Sequence, residues 1–287
     1  MPALIDLRRR IKSVHNTRQI TQAMKTVSTA KFKKAQRLVL EGRPLWHDLP
    51  GLLERTASWA GRQASPLLDR REERKIEVLV ITSDKGLCGA FNSNLLAKAH
   101  AFLQGKSASC EIALVLVGKK AVNFFKKQKY AVHLAHAEKV EKLSLRELKE
   151  IAHFLMRQYV FSRADAVYMI YNEFKSILSP SLTITRLLPI AETEKEAAPD
   201  SFAPDWEPEP ERLLRSLLPL YMETQVYHGI FESLAAEQAA RMMAMENATK
   251  NAEELINDLV LVLNKIRQAS ITKELLEIMT AVEALAK

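Results

Sequence analysis

The chain has 287 residues, 47% hydrophobic and 26% charged, with eight glycines and 7% aromatics, proportions that favour helix over a β-sandwich. No run of 18 uncharged apolar residues crosses a membrane, and the start lacks the apolar stretch of a secretory signal. The two cysteines, Cys88 and Cys110, fit a reducing compartment and exclude a disulfide framework.

The net charge of +8 is local: residues 1–44 hold 11 Lys and Arg against Asp6 and Glu41, and the remainder holds 31 against 32. A basic helix of this kind serves a nucleic acid, an anionic membrane or an acidic protein, or is simply a solvated face. Its Arg-rich start is like a mitochondrial presequence, but the helical pattern runs well past the usual cleavage range.

Between Pro2 and Gly42 there is neither Gly nor Pro, which predicts about 58 Å of helix at roughly 1.5 Å per residue. Leu4, Leu7, Ile11 and Val14 take heptad steps of three and four. Thr17, Ile20, Met24 and Val27 continue the stripe with an extra step of three, a stammer that overwinds a coil. Pro44 and Pro50 predict a kink or restart before Leu52–Ala60.

The period then changes. Strands are expected at Ile76–Thr82, Glu111–Gly118, Tyr130–Ala135, Ala166–Tyr171 and Leu182–Leu188, with helices over Ala90–Leu103, Lys119–Lys129 and Leu143–Tyr159. Alternation of this kind implies a parallel, doubly wound, Rossmann-like sheet covered on both faces. Residues 191–211 carry eight acids against Lys195 and four prolines, a linker composition.

After Pro219 only Gly229 interrupts a helical pattern that would reach about 102 Å. Leu255, Leu259, Val262, Ile266, Ala269, Leu276 and Met279 form one seam, flanked by Ile256, Val260 and Leu263. The alanines from 235 to 252 allow close approach of a second helix. The expected layout is therefore α/β. It comprises an N-terminal coiled-coil helix (1–60), an inserted α/β domain (75–190), an acidic Pro-rich linker (191–211) and a C-terminal coiled-coil helix (212–287). The terminal helices pair antiparallel, with the longer C-terminal one left single at its tip.

Ser83–Asn92 (SDKGLCGAFN) follows the first strand and leads into a helix, a place that can cradle an anion on backbone N–H groups. It matches neither GxxxxGK[ST] nor GxGxxG, and Lys85 precedes both glycines, so a structural tight turn competes with a phosphate cradle. Cys88 between glycines is loosely like a nucleophile elbow. The seven histidines supply no base at a suitable spacing, and no Cys or acid joins His133 and His136 in a metal set. No catalytic residue, metal or cofactor is expected.

Ile5–Gln36 (IDLRRRIKSVHNTRQITQAMKTVSTAKFKKAQ) resembles the N-terminal helix of the γ subunits of F-type ATP synthases, bacterial type. GLCGAFN (Gly86–Asn92) is similar to that family's GLCGxxN loop, and Glu232–Ala252 and Arg267–Ile278 are similar to its C-terminal pattern. The resemblance covers the whole chain. It implies a non-catalytic rotor, one copy per complex, that couples ion transport to ATP synthesis. The implied partners are the α and β subunits of the catalytic hexamer, the ε subunit and the c-subunit ring.

It also implies a peripheral place on the cytoplasmic face of a bacterial membrane. Met24 and Lys25 match the family's contact with an acidic lever on β. Arg241, Gln268, Thr272 and Glu274 match its polar catch on β, and Trp206 and Glu207 its foot on the c ring. Ala281-Val282 stand where the family usually closes with Gly-Ala. Two rival readings are a coiled-coil nucleic-acid-binding protein, which has no use for the acidic linker or apolar tip, and a nucleotide-dependent enzyme, which lacks a phosphate loop.

Overall fold

The computed structural model describes residues 2–60, 65–137, 140–176, 180–190 and 207–285. They fall into two compact units, one of Met1–Ser28 with Arg241–Lys287 and one of Thr29–Ala240.

The first unit is made from the ends of two helices, α1 (Pro2–Ala60) and α5 (Pro210–Leu285). Three cross-helix pairs fix their register. Lys25 Nζ lies 3.0 Å from Glu246 Oε1, Thr249 Oγ1 lies 2.8 Å from Thr21 Oγ1, and Arg18 Nη1 lies 3.1 Å from Glu253 Oε1. As one residue number rises the other falls, so the helices are antiparallel, and each pair of numbers adds to 270 or 271. Continued at constant register, Val14, Ile11, Leu7 and Leu4 come opposite Ile256, Leu259, Leu263 and Ile266. All eight are shielded from solvent in part or fully. Apolar burial of this kind stabilises by about 1.5–3 kcal/mol for each fully buried side chain.

This register corrects two expectations. The inward positions of α1 are Leu4, Leu7, Ile11, Val14, Arg18, Thr21, Lys25 and Ser28, with Met24 beside Lys25, so the heptad runs on without the stammer. Ile20 and Val27 point outward, 61% and 57% exposed, and Thr21 and Ser28 are buried in their stead. Small hydroxyls fit a tight seam because they bond within it: Thr21 donates to the Arg18 carbonyl at 2.9 Å while facing Thr249. On α5 the seam is Ile256, Leu259, Leu263 and Ile266, so half of it comes from the stripe expected as a flank, and Leu255 and Val262 are exposed.

The second unit carries a five-stranded sheet in the order β3-β2-β1-β4-β5. Its strands are β1 (Lys75–Ile81), β2 (Glu111–Val117), β3 (Ala131–His136), β4 (Ala166–Phe174) and β5 (Pro180–Leu188). The helices between them are α2 (Phe91–Lys106), α3 (Lys119–Phe125) and α4 (Leu145–Val160). The first four strands are parallel and β5 is antiparallel to β4. The fully parallel sheet of the sequence reading fails at this strand for a simple reason. Five residues separate β4 from β5, and a parallel crossover needs a dozen or more.

The pleat sorts side chains to two cores. Ile76, Val78 and Val80 of β1 face α2 and α3. Leu79 and Ile81 face α4 and the stretches of α1 and α5 that belong to this unit. α4 opens with a capping box, in which Ser144 Oγ accepts from the Glu147 N–H and the Glu147 carboxylate accepts from the Ser144 N–H.

The restart expected at Pro44 and Pro50 does not occur. α1 runs through Pro44 and Pro50, and α5 starts at Pro210 and runs through Pro219. The buried Trp46, Leu49 and Leu53 hold α1 helical there, and Leu217, Leu218 and Met222 do so for α5, offsetting the lost N–H donors. Gly229 is needed for packing: a Cβ there would collide with the Met169 sulfur on β4.

The corrected register is testable by urea unfolding. Leu259→Ala should cost about 2–4 kcal/mol, and Val27→Ser should change stability by less than about 0.5 kcal/mol. Equal costs for the two would contradict it.

Candidate partner-contact surfaces

In open α/β sheets a ligand usually binds beyond the C-terminal ends of the strands, where the strand order reverses. Here that point lies between β1 and β4, and the chain's own helices fill it. β1 accompanies β4 only as far as Ile170. Beyond it, the Asn172 N–H donates to Ser233 Oγ at 3.2 Å and the Phe174 N–H to Glu232 Oε2 at 2.8 Å. Two α5 side chains thus take donors that would otherwise meet a strand, water or a ligand. The other oxygen of Glu232 lies 3.5 Å from His228 Nε2 and 3.9 Å from Arg43 Nη2. His228 stacks at 4.5 Å on Trp46, with Tyr171 at 5.9 Å. Burial, helped by the Glu173 and Glu232 carboxylates, pushes the Tyr171 hydroxyl up to about 12.

The Ser83–Asn92 loop closes the same crevice. Cys88 and Phe91 are buried with Phe32, Val39 and Trp46 of α1, Phe174 of β4, and Ala235, Ala236 and Ala239 of α5. Within the loop, Asn92 Oδ1 accepts from the Ser83 N–H at 3.1 Å and Asn92 Nδ2 donates to Ser83 Oγ at 2.8 Å. Asp84 accepts from the N–H groups of Lys119 (3.2 Å) and Val140 (2.7 Å), a carboxylate at the start of α3. Gly89 has φ +57°, and Gly118 has φ +97° with its Cα against the Thr82 carbonyl. Of the two readings of this loop, the geometry is that of a structural turn. Neither cysteine is in a disulfide, and Cys88 is buried. Among the described residues no three His, Cys, Asp or Glu side chains converge as a metal site.

The residues singled out on the helices fall in two places about 40 Å apart at roughly 1.5 Å per residue. Lys25 is paired to Glu246, Met24 is half-buried beside it, and the register puts Arg241 about one turn away. Arg241 is not a surface residue: it is 6% exposed. Gln268, Thr272 and Glu274 are exposed near the far end. Thr272 Oγ1 donates to the Gln268 carbonyl at 2.9 Å, which keeps those two on one face, and Glu274 lies toward Ser270, 3.4 Å away. Past Ser270 no described residue of α1 lies opposite α5 at this register. Every residue there with a described side chain is exposed, including Leu276 at 58% and Met279 at 69%. Glu207 is exposed, and Trp206 lies outside the described residues.

A family model described as ATP synthase matches residues 3–285. The ATP synthase gamma chain of Pelotomaculum thermopropionicum is 43% identical, over 99% of this chain and all of that one. The chain belongs to the ATP synthase gamma chain family. A chain in the structure titled Tetrahymena thermophila mitochondrial ATP synthase central stalk and c-ring is 26% identical with a TM-score of 0.61, over 80% of this chain and 99% of that one. A Euglena gracilis mitochondrial ATP synthase chain shares the fold at 20% identity and a TM-score of 0.65, over 99% of this chain and 95% of that one.

The gamma-chain motifs and the geometry meet at a neck where Glu232 and Ser233 of α5 take the open backbone donors of β4. Glu232 and Ser233 open the segment that resembles the family's C-terminal pattern, yet sequence reasoning gave them no role. The signal available was an acid and a serine amid alanines on an otherwise apolar helix face. The basic helix is also partly answered from within the gamma chain: Arg18, Lys25, Lys31 and Arg43 pair with Glu253, Glu246, Glu141 and Glu232. The nucleic-acid reading finds no support in these relatives.

Glu232→Ala should leave the Phe174 N–H buried and unmatched and cost roughly 1–3 kcal/mol. Urea unfolding and faster amide exchange at Phe174 would register it, and an unchanged midpoint with unchanged exchange would contradict the role.

Proposed function

We propose that this chain is the central rotor shaft of an F-type ATP synthase. It carries rotation of the c-subunit ring to the catalytic β subunits of the α/β hexamer and performs no chemistry itself. The observation that carries the reading is an antiparallel helix pair that ends near residue 270 while α5 continues alone with Leu275, Leu276, Ile278, Met279 and Val282 exposed. An apolar helix with no partner among the described residues fits an apolar bearing supplied by another chain. No described helix is long and apolar enough to cross a membrane. In this reading the chain sits as a single copy on the cytoplasmic face of the membrane, between the hexamer above and the c ring and ε subunit below.

A shaft shifts β between states only by touching those states unequally. Met24 and Lys25 are assigned to the acidic lever on β, next to outward-facing Ile20 and Val27. Gln268, Thr272 and Glu274 are assigned to the polar catch, where their exposure suits contact with β. Arg241 is assigned to the catch by family pattern, and at 6% exposure it has little surface to offer there. Trp206 and Glu207 are assigned to the foot on the c ring.

The reading is tested by co-expression with α and β subunits, which should recover one copy of this chain per complex; a chain that fails to co-purify would overturn it. Met24→Lys adds a cation beside Lys25 on the lever face. It should lower ion pumping per ATP hydrolysed about tenfold, a shift of roughly 1.4 kcal/mol, with the urea midpoint of the isolated chain nearly unchanged. Undiminished pumping would contradict the assignment of Met24.

A further inference from the structure

At the end of the sheet opposite the α5 cap, a cleft of about 1160 Å³ opens beside the N-terminal ends of β1, β2 and β3. Its walls come from the C-terminal half of α2, the loop before β3, and α4 with the turn after it. Lys127, Lys129 and Arg163 line it, and among the described residues none of them has a carboxylate partner. The one acid in the lining, Glu111, is held by Lys75 at 3.6 Å. Three unanswered cations around one concavity repel each other, and a bound anion relieves that repulsion.

A second observation lies deeper in the cleft. Gln158 of α4 is 8% exposed and lines the cleft, and its carboxamide, which keeps contact with solvent there, has no hydrogen-bond partner among the described residues. Its N–H₂ is a donor open to a ligand in the cleft. His133 stands at the same wall. The register shift between β2 and β3 makes it an extra residue on β3, and its Nδ1 lies 3.1 Å from the buried Glu77 carboxylate. Burial pushes that carboxyl up, and His133 opposes the shift. The pairing turns the imidazole so that Nε2 is its remaining polar atom.

We propose that this cleft binds a phosphate-bearing small anion, its oxygens held by Lys127, Lys129, Arg163 and the N–H₂ of Gln158. A guanidinium presents a two-pronged donor to a phosphate, and ammonium groups add charge without fixed geometry. At about 1160 Å³ the cleft is somewhat larger than the roughly 300–1,000 Å³ of an ordinary small-molecule site, which leaves room for water around the anion. Tyr130 and Phe154 in the walls offer flat faces for a ring attached to the phosphate. Recession of Gln158 favours a compact ligand over an acidic protein segment, which would lie across the rim. The proposal is independent of the rotor reading.

The test is calorimetric titration of the full chain with pyrophosphate and with ADP, at low and at high salt. One anion per chain should bind, more weakly as salt rises. Gln158→Leu, which leaves the charge unchanged, should weaken binding about tenfold, equivalent to roughly 1.4 kcal/mol. Lys127→Glu with Lys129→Glu and Arg163→Glu should abolish it. The same charge reversal at Arg8, Arg9 and Arg10 should leave the cleft's binding in place. Tighter binding of ADP than of pyrophosphate would identify a nucleotide, and equal binding the phosphate group alone. The proposal is overturned if neither anion binds, if Gln158→Leu binds as the parent does, or if the N-terminal reversal removes binding as fully as the cleft reversal. Binding of poly-glutamate at the cleft with no heat from either small anion also overturns it, in favour of an acidic protein partner.

Discussion

The antiparallel pairing of α1 with α5 is the interaction on which the rest depends. In the first unit it is the means by which either helix buries an apolar face, with Leu7, Ile11, Leu259 and Leu263 in the seam. In the second unit other stretches of the same helices cover the sheet, and they also close the crevice that an α/β fold normally offers to a ligand. Glu232 and Ser233 satisfy the open backbone of β4, and Phe32, Trp46 and the alanines of α5 bury the GLCG loop. In a fold widely used for binding nucleotides, the usual ligand crevice is thereby filled by the chain's own helices.

The loop after β1 shows the consequence. It spends its polar groups on itself and on α3, and an aspartate sits where a phosphate would accept N–H groups. The ion pairs Arg18–Glu253 and Lys25–Glu246 lie at the rim of the seam, where such pairs add at most about 1 kcal/mol each. They serve register more than stability. Stiffness comes from the continuous helices, asymmetry from their unequal length, and neither property requires a reactive group.

Much of this was legible in the amino-acid order. Alternation of β-rich runs with helical periods located every strand and the three crossover helices, and the length of the C-terminal pattern foretold a tip without a partner. The register was not legible, because Ile20 and Val27 are the apolar residues in their stretch while Thr21 and Ser28 are the buried ones. Packing geometry chose small bonded hydroxyls over larger apolar groups, a choice that only the partner helix makes visible. Helix continuity through Pro44 and Pro50 was hidden for a related reason: local preference opposed it and tertiary burial prevailed. The neck and the basic cleft each draw side chains from distant parts of the chain, so no spacing in the sequence marks them.

The central claim is that α1 and α5 turn as one body in the register set by Thr21 and Thr249. Thr21→Cys with Thr249→Cys tests it most directly, because the two hydroxyl oxygens are 2.8 Å apart, close enough for a disulfide. In the assembled complex the cross-link should form on mild oxidation and leave ATP-driven ion pumping at the level of the reduced enzyme. Failure of the cysteines to join, or loss of pumping on oxidation that returns on reduction, would contradict the account.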